Sequence, residues 1–343
     1  MGEQSRLPDP GLALEGHDRA LADERAIDPR GELLELGVAL EQLERRRRRA
    51  TIHRSILLGR RLKCPGQPHV VQRSGAIHDR GPVAATVTPD HSRNAGVLIT
   101  VPVSHFCEKA RWALDHAGLR YREHGYPPLV HKLAVRSRGS RTAPLLVGRQ
   151  TLRESTDILR FADIECPPGG DTLYPAASGA RREMEVLVTR LDLTLGPQVR
   201  RWFYSWALAD ERRLCEWASC GLSPHQRGLL RILLTMITTV IADRLEITER
   251  STAQAREDID EELQLISTML ADGRRYLGGD SFSAADLTFA ALAGPMLCPP
   301  GYGGRRLTLP PMPDELAPEI LAWRATAAGQ LALRLYREHR TRP

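Results

Sequence analysis

Long apolar runs, paired cysteines and, over one stretch, acidic residues are what this 343-residue chain lacks, and each shortage removes a class of protein. The longest apolar stretch, Gly228 to Leu245, is cut by Arg231 and Asp243, so the distance between charges is too short to span a bilayer. It reads as a buried helix, and no membrane partner is expected. The six cysteines stand at positions 64, 107, 166, 215, 220 and 298 without ligand-like spacing. Cys215 and Cys220 are five apart with no matching His or Cys pair, so no metal site is expected and a reduced, cytoplasmic setting is. The first twenty residues carry acids early and no apolar core of signal-peptide length, which argues against secretion.

Acidic side chains are nearly missing between Arg45 and Arg80, where eleven Lys or Arg face one acid, Asp79. That segment alone exceeds the net charge of +6, so the rest of the chain is mildly acidic. Its leading run, "ERRRRRA" from Glu44 to Ala50, fits a polyanion-binding or nuclear-address pattern, but runs this short match by chance often. The reading is a solvated stretch with no dedicated partner and no nucleic acid. Leucines at 33, 34, 36, 40 and 43 give one helical period over Asp28 to Arg49, after which Pro, Gly and charge mix without period. Residues 1–95 are therefore expected to be a poorly ordered N-terminal extension with one helix. A start codon at Val97 or Leu98 would leave them out, and native peptides from residues 1–90 in mass spectrometry would exclude that start.

What is present begins at Gly96. "GVLITVPV" reads as a strand rich in β-branched residues, and "SHFCEKARWALDHAGL" as a helix closed by Gly118. "RYREHGYPP" gives a second strand, "VHKLAVRSRGSR" a helical turn and loop, "TAPLLVGRQTL" two short strands, and "RESTDILRFADIEC" a helix opening near Ser155. The order β-α-β-α-β-β-α predicts a thioredoxin-like α/β domain over 96–170. From 171 to 343 nearly every segment has helical period, which predicts an all-α helical bundle domain. Its first long helix is expected to break at Gly196-Pro197. The helix of "FSAADLTFAALAGPML" should start on a capping box made by Ser283 and Asp286.

This plan resembles the glutathione transferase family over about residues 97–340. "SHFCEKARWAL" is similar to the family's first-helix motif, "TAPLL" to its Val-Pro-x-Leu segment and "RESTDIL" to its Glu-Ser motif. "LYP" at Leu173 to Pro175 is similar to the interdomain linker, and the Ser283/Asp286 pair to the capping box of the second domain's central helix. The resemblance implies glutathione as co-substrate, a small-molecule electrophile, a homodimer and a role in detoxification. Two other readings stay open: a glutathione-dependent thiol-disulfide reductase using Cys107, and a non-catalytic binding or interaction module of the same fold.

By the same resemblance Ser104 holds the exposed first position of the "SHFC" motif and Cys107 the second, more buried one. Ser104 would donate a hydrogen bond to the glutathione sulfur; its plain alternative is a helix N-cap. Lowering a thiol's pKa by about two units takes roughly 2.7 kcal/mol. One charge-assisted hydrogen bond of roughly 1.5–3 kcal/mol plus a helix-dipole contribution of roughly 0.3–1 kcal/mol is enough. Cys107 without a first cysteine is more simply a packed, buried thiol. Pro144 is expected to follow a cis bond that lets the Ala143 backbone pair with the cysteinyl part of glutathione. Glu154 and Ser155 would take the γ-glutamyl end, or else only cap a helix. Lys132, or His131, would take the glycyl carboxylate, with Arg136, Arg138 or Arg141 as substitutes. Trp202, Phe203, Tyr204 and Trp206 line either the electrophile pocket or the core.

Overall fold

A computed structural model describes residues 93–340 apart from 168, 305, 306 and 312. The readings made for the N-terminal extension, its helix and its arginine run lie outside the described residues.

Strand β1 (Asn94–Thr100) opens the described chain two residues before the predicted start, and its apolar alternation buries Leu98 and Ile99. Helix α1 (His105–His116) follows a tight turn at Val101–Ser104 and ends at Ala117, with Gly118 at φ 63° making the left-handed exit that glycine allows. Next come β2 (Arg120–Gly125), α2 (His131–Arg136), β3 (Leu145–Val147), β4 (Thr151–Leu152) and α3 (Ser155–Ile164). The four strands form one sheet in the order β2-β1-β3-β4. β1 runs parallel to β2 and antiparallel to β3, which pairs antiparallel with β4. This is the thioredoxin-type α/β arrangement that the segment order predicts.

The remainder is helical: α4 (Ser178–Leu193), α5 (Leu195–Ala207), α6 (Glu211–Ala218), α7 (Pro224–Arg244), α8 (Glu249–Met269), α9 (Ala284–Leu297), α10 (Ala317–Ala325) and α11 (Ala327–Leu335). A π-type turn, Tyr336–Arg340, follows α11. Helix α9 is buried along its whole length and starts on the predicted capping box, with the Ser283 amide and hydroxyl both on Asp286 Oδ2. It packs against α1, α4, α5 and α11, so the core runs on from the sheet domain into the bundle.

Two expectations are corrected. The first bundle helix breaks at Thr194, three residues before Pro197, because the proline ring excludes the carbonyl of Leu193 four residues earlier from a helical bond. Gly196 and Pro197 lie in the first turn of α5. The apolar stretch Gly228–Leu245, expected to be a buried helix, is only half so. Within α7 only Leu230, Leu233, Ile237 and Ile241 are buried, and Ile232 is 62% exposed. Those four positions make a single stripe at helical spacing, Leu229, Leu234, Met236 and Val240 are half-buried, and Ile232 is exposed with Arg231 and Thr235. Among the described residues no helix is long and apolar enough to cross a membrane.

Helix α1 carries an unusual load of buried charge. Glu108, Lys109 and Arg111 are all at most 1% exposed. Each is paired: Arg111 Nη1 lies 3.2 Å from Glu108, Arg111 Nε 2.8 Å from Glu123 of β2, and Lys109 Nζ 2.7 Å from Asp192 of α4. Arg340 completes the set by donating to Glu108 at 2.7 Å and to Asp115 at 2.9 Å. The helix that presents Ser104 is thus held by ionic contacts to the sheet, to the bundle and to the final turn.

Candidate functional site

Ser104 occupies the N-cap position of α1 with extended dihedrals, φ −72° and ψ 130°, and its hydroxyl does not bond back to the helix. The amides of His105, Phe106 and Cys107 have no acceptor among the described residues, as expected for a first helical turn without a side-chain cap. Free N–H groups and the positive end of the helix dipole therefore converge beside a hydroxyl that does not cap the helix and whose side-chain contact is with the Cys107 thiol. One turn further in, Cys107 is completely buried. Burial pushes its thiol up to about 11, although Arg111 and the Ser104 hydroxyl pull in the opposite direction. A thiol so placed is neutral at physiological pH and closed to solvent, the opposite of a reactive cysteine.

Ser104 opens onto a shallow cleft of about 60 Å3. One side is Ser104 and His105; Arg200, Phe203 and Tyr204 of α5 and Trp217 of α6 form the other. Val101, Val103, Pro295 and Leu309 complete an apolar floor. Positions 200, 203 and 204 share a face because residues three and four apart align on a helix. Phe203 and Trp217 meet edge to face with ring centroids 5.3 Å apart. Trp202 and Trp206 do not line the cleft. Trp202 is buried in the core and donates through its indole to Glu319 at 2.9 Å, and Trp206 stands behind Phe203 and Trp217.

His105 is fixed by a 3.0 Å hydrogen bond from Nε2 to the Gly196 carbonyl at the start of α5. Burial and the charge of Arg200 push its pKa down to about 3, so the ring is neutral at physiological pH. Gly196 permits this contact. A Cβ there would stand 2.6 Å from Cζ of Phe106, so any larger residue would force that ring to shift.

The other sequence-predicted residues surround the same end of the sheet. The Ala143-Pro144 bond is cis, as expected. It immediately precedes β3, whose Leu145 pairs with Ile99, so Pro144 lies by the end of β1 that leads into Ser104. Glu154 is the exposed N-cap of α3 without a side-chain cap, and Ser155 is its buried first residue. Burial first, and then the Asp157 and Asp192 carboxylates, raise the Glu154 pKa. Thr156 links this end to α1: Lys109 Nζ donates to its hydroxyl at 2.7 Å and to Asp192. Desolvation pulls Lys109 down to about 8 despite the Asp192 carboxylate. Lys132 is the second residue of α2, half-buried. Its neighbour His131 has its pKa pushed down to about 4 by burial and by Lys132, and is therefore uncharged at neutral pH.

Arg200, Trp217, His105 and Asp192 were missed by sequence reasoning. Arg200 was detectable from its three- and four-residue spacing to Phe203 and Tyr204. Trp217 and Asp192 arrive from other helices and left no local signal.

Residues 98–168 match the family model described as glutathione S-transferase, N-terminal domain. No curated protein matches the sequence. Among solved structures, a beta-etherase from Sphingobium sp. strain SYK-6 is similar at 18% identity, with 69% of this chain and 98% of that chain covered and a TM-score of 0.45. A glutathione S-transferase from Rhodospirillum rubrum F11 is similar at 20% identity, 69% and 91% coverage and a TM-score of 0.40. Another from Xanthobacter autotrophicus Py2 is similar at 16% identity, 72% and 95% coverage and a TM-score of 0.44.

Proposed function

We propose that this chain, whose residues 98–168 match the N-terminal domain of glutathione S-transferases, is a glutathione transferase that conjugates glutathione to an electrophilic small molecule, with Ser104 holding the thiolate. The observation that carries this reading is the contrast at the start of α1. Ser104 is uncapped and opens onto an aromatic cleft, whereas Cys107 is sealed and protonated.

In this reading glutathione lies across the N-terminus of α1 with its sulfur at Ser104. The Ala143 backbone pairs with the cysteinyl unit. The γ-glutamyl ammonium meets Glu154, where an added positive charge relieves the crowding of carboxylates, and its carboxylate meets the first amides of α3 at Ser155. Lys132 takes the glycyl carboxylate. The thiol proton leaves to solvent, and the thiolate, held by the Ser104 hydroxyl and the α1 amides, attacks the electrophilic carbon in the cleft. With a chloroarene the C–S bond forms and chloride departs with the C–Cl electron pair. The burial of Cys107 disfavours the disulfide-reductase alternative, since no mixed disulfide forms on a neutral thiol without solvent access. A homodimer and a cytoplasmic, detoxifying role belong to the same proposal.

The test is retention on immobilised glutathione together with conjugation of chlorodinitrobenzene by wild type, Ser104→Ala and Cys107→Ala. Loss of turnover in Ser104→Ala alone is the expected result. Loss in Cys107→Ala alone overturns the reading in favour of disulfide chemistry, and neither retention nor turnover in wild type overturns it in favour of a binding module.

A further inference from the structure

Arg200 lines the cleft with Ser104, and among the described residues no counter-charge meets it. Arg200 makes no hydrogen bond and no ion pair among the described residues, although Arg201, the next residue, bonds both Gln198 and the Leu245 carbonyl. No carboxylate lines the cleft among the described residues. The groups that feel the Arg200 charge are His105 and Tyr204, one neutral ring and one phenol. Arg200 as a residue is exposed, while burial of its head group and the neighbouring Arg201 charge lower its pKa, as for a guanidinium held against the protein at the cleft. Beside it Phe203, Tyr204 and Trp217 offer flat apolar surface. A planar fork of donors next to aromatic faces suits a ligand with an aromatic body and a planar anion at one end.

We propose that Arg200 sets substrate choice in this cleft, selecting aromatic electrophiles that carry a carboxylate or a comparable anionic group over neutral ones. This rests on the reading of the cleft as the electrophile site and names the class that site prefers. The anion on Arg200 and the ring against Phe203 and Trp217 place the far end of the molecule toward Ser104. A neutral arene makes no charge-assisted hydrogen bonds to the guanidinium, so discrimination comes from the attraction for the anion.

The experiment has two arms that fail separately. Binding of unreactive dinitrobenzoate and dinitrobenzene is followed by quenching of tryptophan fluorescence in wild type, Arg200→Gln and Arg200→Lys, without glutathione. The expected result is that wild type binds the carboxylate about tenfold or more tighter than the neutral ring. Arg200→Gln abolishes that preference while leaving dinitrobenzene affinity within about twofold, and Arg200→Lys keeps part of it. Equal affinity for the two rings in wild type, or a preference unchanged in Arg200→Gln, overturns the proposal. In the second arm, kcat/KM for chlorodinitrobenzoate should fall about tenfold more than that for chlorodinitrobenzene in Arg200→Gln, through KM; an equal fall for both electrophiles overturns it. If no glutathione is retained and nothing turns over, the transferase reading fails, and the fluorescence arm still decides the role of Arg200.

Discussion

At the residue scale, two side chains one helical turn apart have opposite chemistry because one faces the cleft and the other the core. Ser104→Ala removes the only side-chain donor proposed for the sulfur while leaving the helix, which the hydroxyl does not cap. Conjugation is expected to fall by roughly 30- to 100-fold, the equivalent of about 2–2.7 kcal/mol, with thermal stability unchanged, as steady-state kinetics and a melting curve would show. Cys107→Ala should keep its rate. A thiol raised to about 11 and fully buried should also resist alkylation in the native protein and react only on unfolding, which a timed labelling assay reads directly. The motif order in the sequence already contained Ser104, Cys107, Ala143, Pro144, Glu154 and Ser155, since each belongs to a short local signature. It could not contain the lack of a counter-charge on Arg200 among the described residues, because that is a property of everything packed around a residue.

At the scale of elements, the site depends on how closely α1 approaches α5. Gly196→Ala would drive a methyl into Phe106, which follows Ser104 by two positions. Overpacking of this kind costs about 1–3 kcal/mol, and a lowered melting temperature together with weaker glutathione retention is the expected outcome. The His105 bond to the Gly196 carbonyl spans the same contact and ties it to pH. The ring has its ordinary value of 6.5 when unfolded and about 3 when folded, so the unfolded chain binds the extra proton between those values. Its contribution is complete above pH 6.5 and is lost as pH falls toward 3. Melting temperature should drop over that window, and His105→Gln, which retains a donor for the carbonyl, should flatten that part of the curve. The alternation of β1 and the capping box of α9 were legible because each is a local periodicity or a fixed spacing. The half-exposure of α7 was not, because an apolar run says nothing of how many neighbours are available to cover it.

At the scale of the whole molecule, the helix that follows Ser104 is anchored from three directions by buried charge. Arg340, from the last described turn, reaches Glu108 and Asp115 across more than two hundred residues of sequence. Removing one partner of a buried ion pair strands the other, so Arg340→Leu should destabilise the fold by about 3 kcal/mol or more in denaturant unfolding, with Arg111 leaving Glu108 partly compensated. Nothing in a sequence window could reveal this link. The two-part plan, sheet domain and then helices, was readable because it follows from segment order alone, whereas the ionic clamp that joins the parts depends on which faces meet.

The central claim is that Ser104 stabilises a bound thiolate, and the most direct test is the ultraviolet thiolate absorbance of enzyme-bound glutathione titrated against pH in wild type and Ser104→Ala. The account predicts a thiol pKa about two units below its free value in wild type and a return most of the way to that value in Ser104→Ala. An equally lowered pKa in both proteins would contradict it.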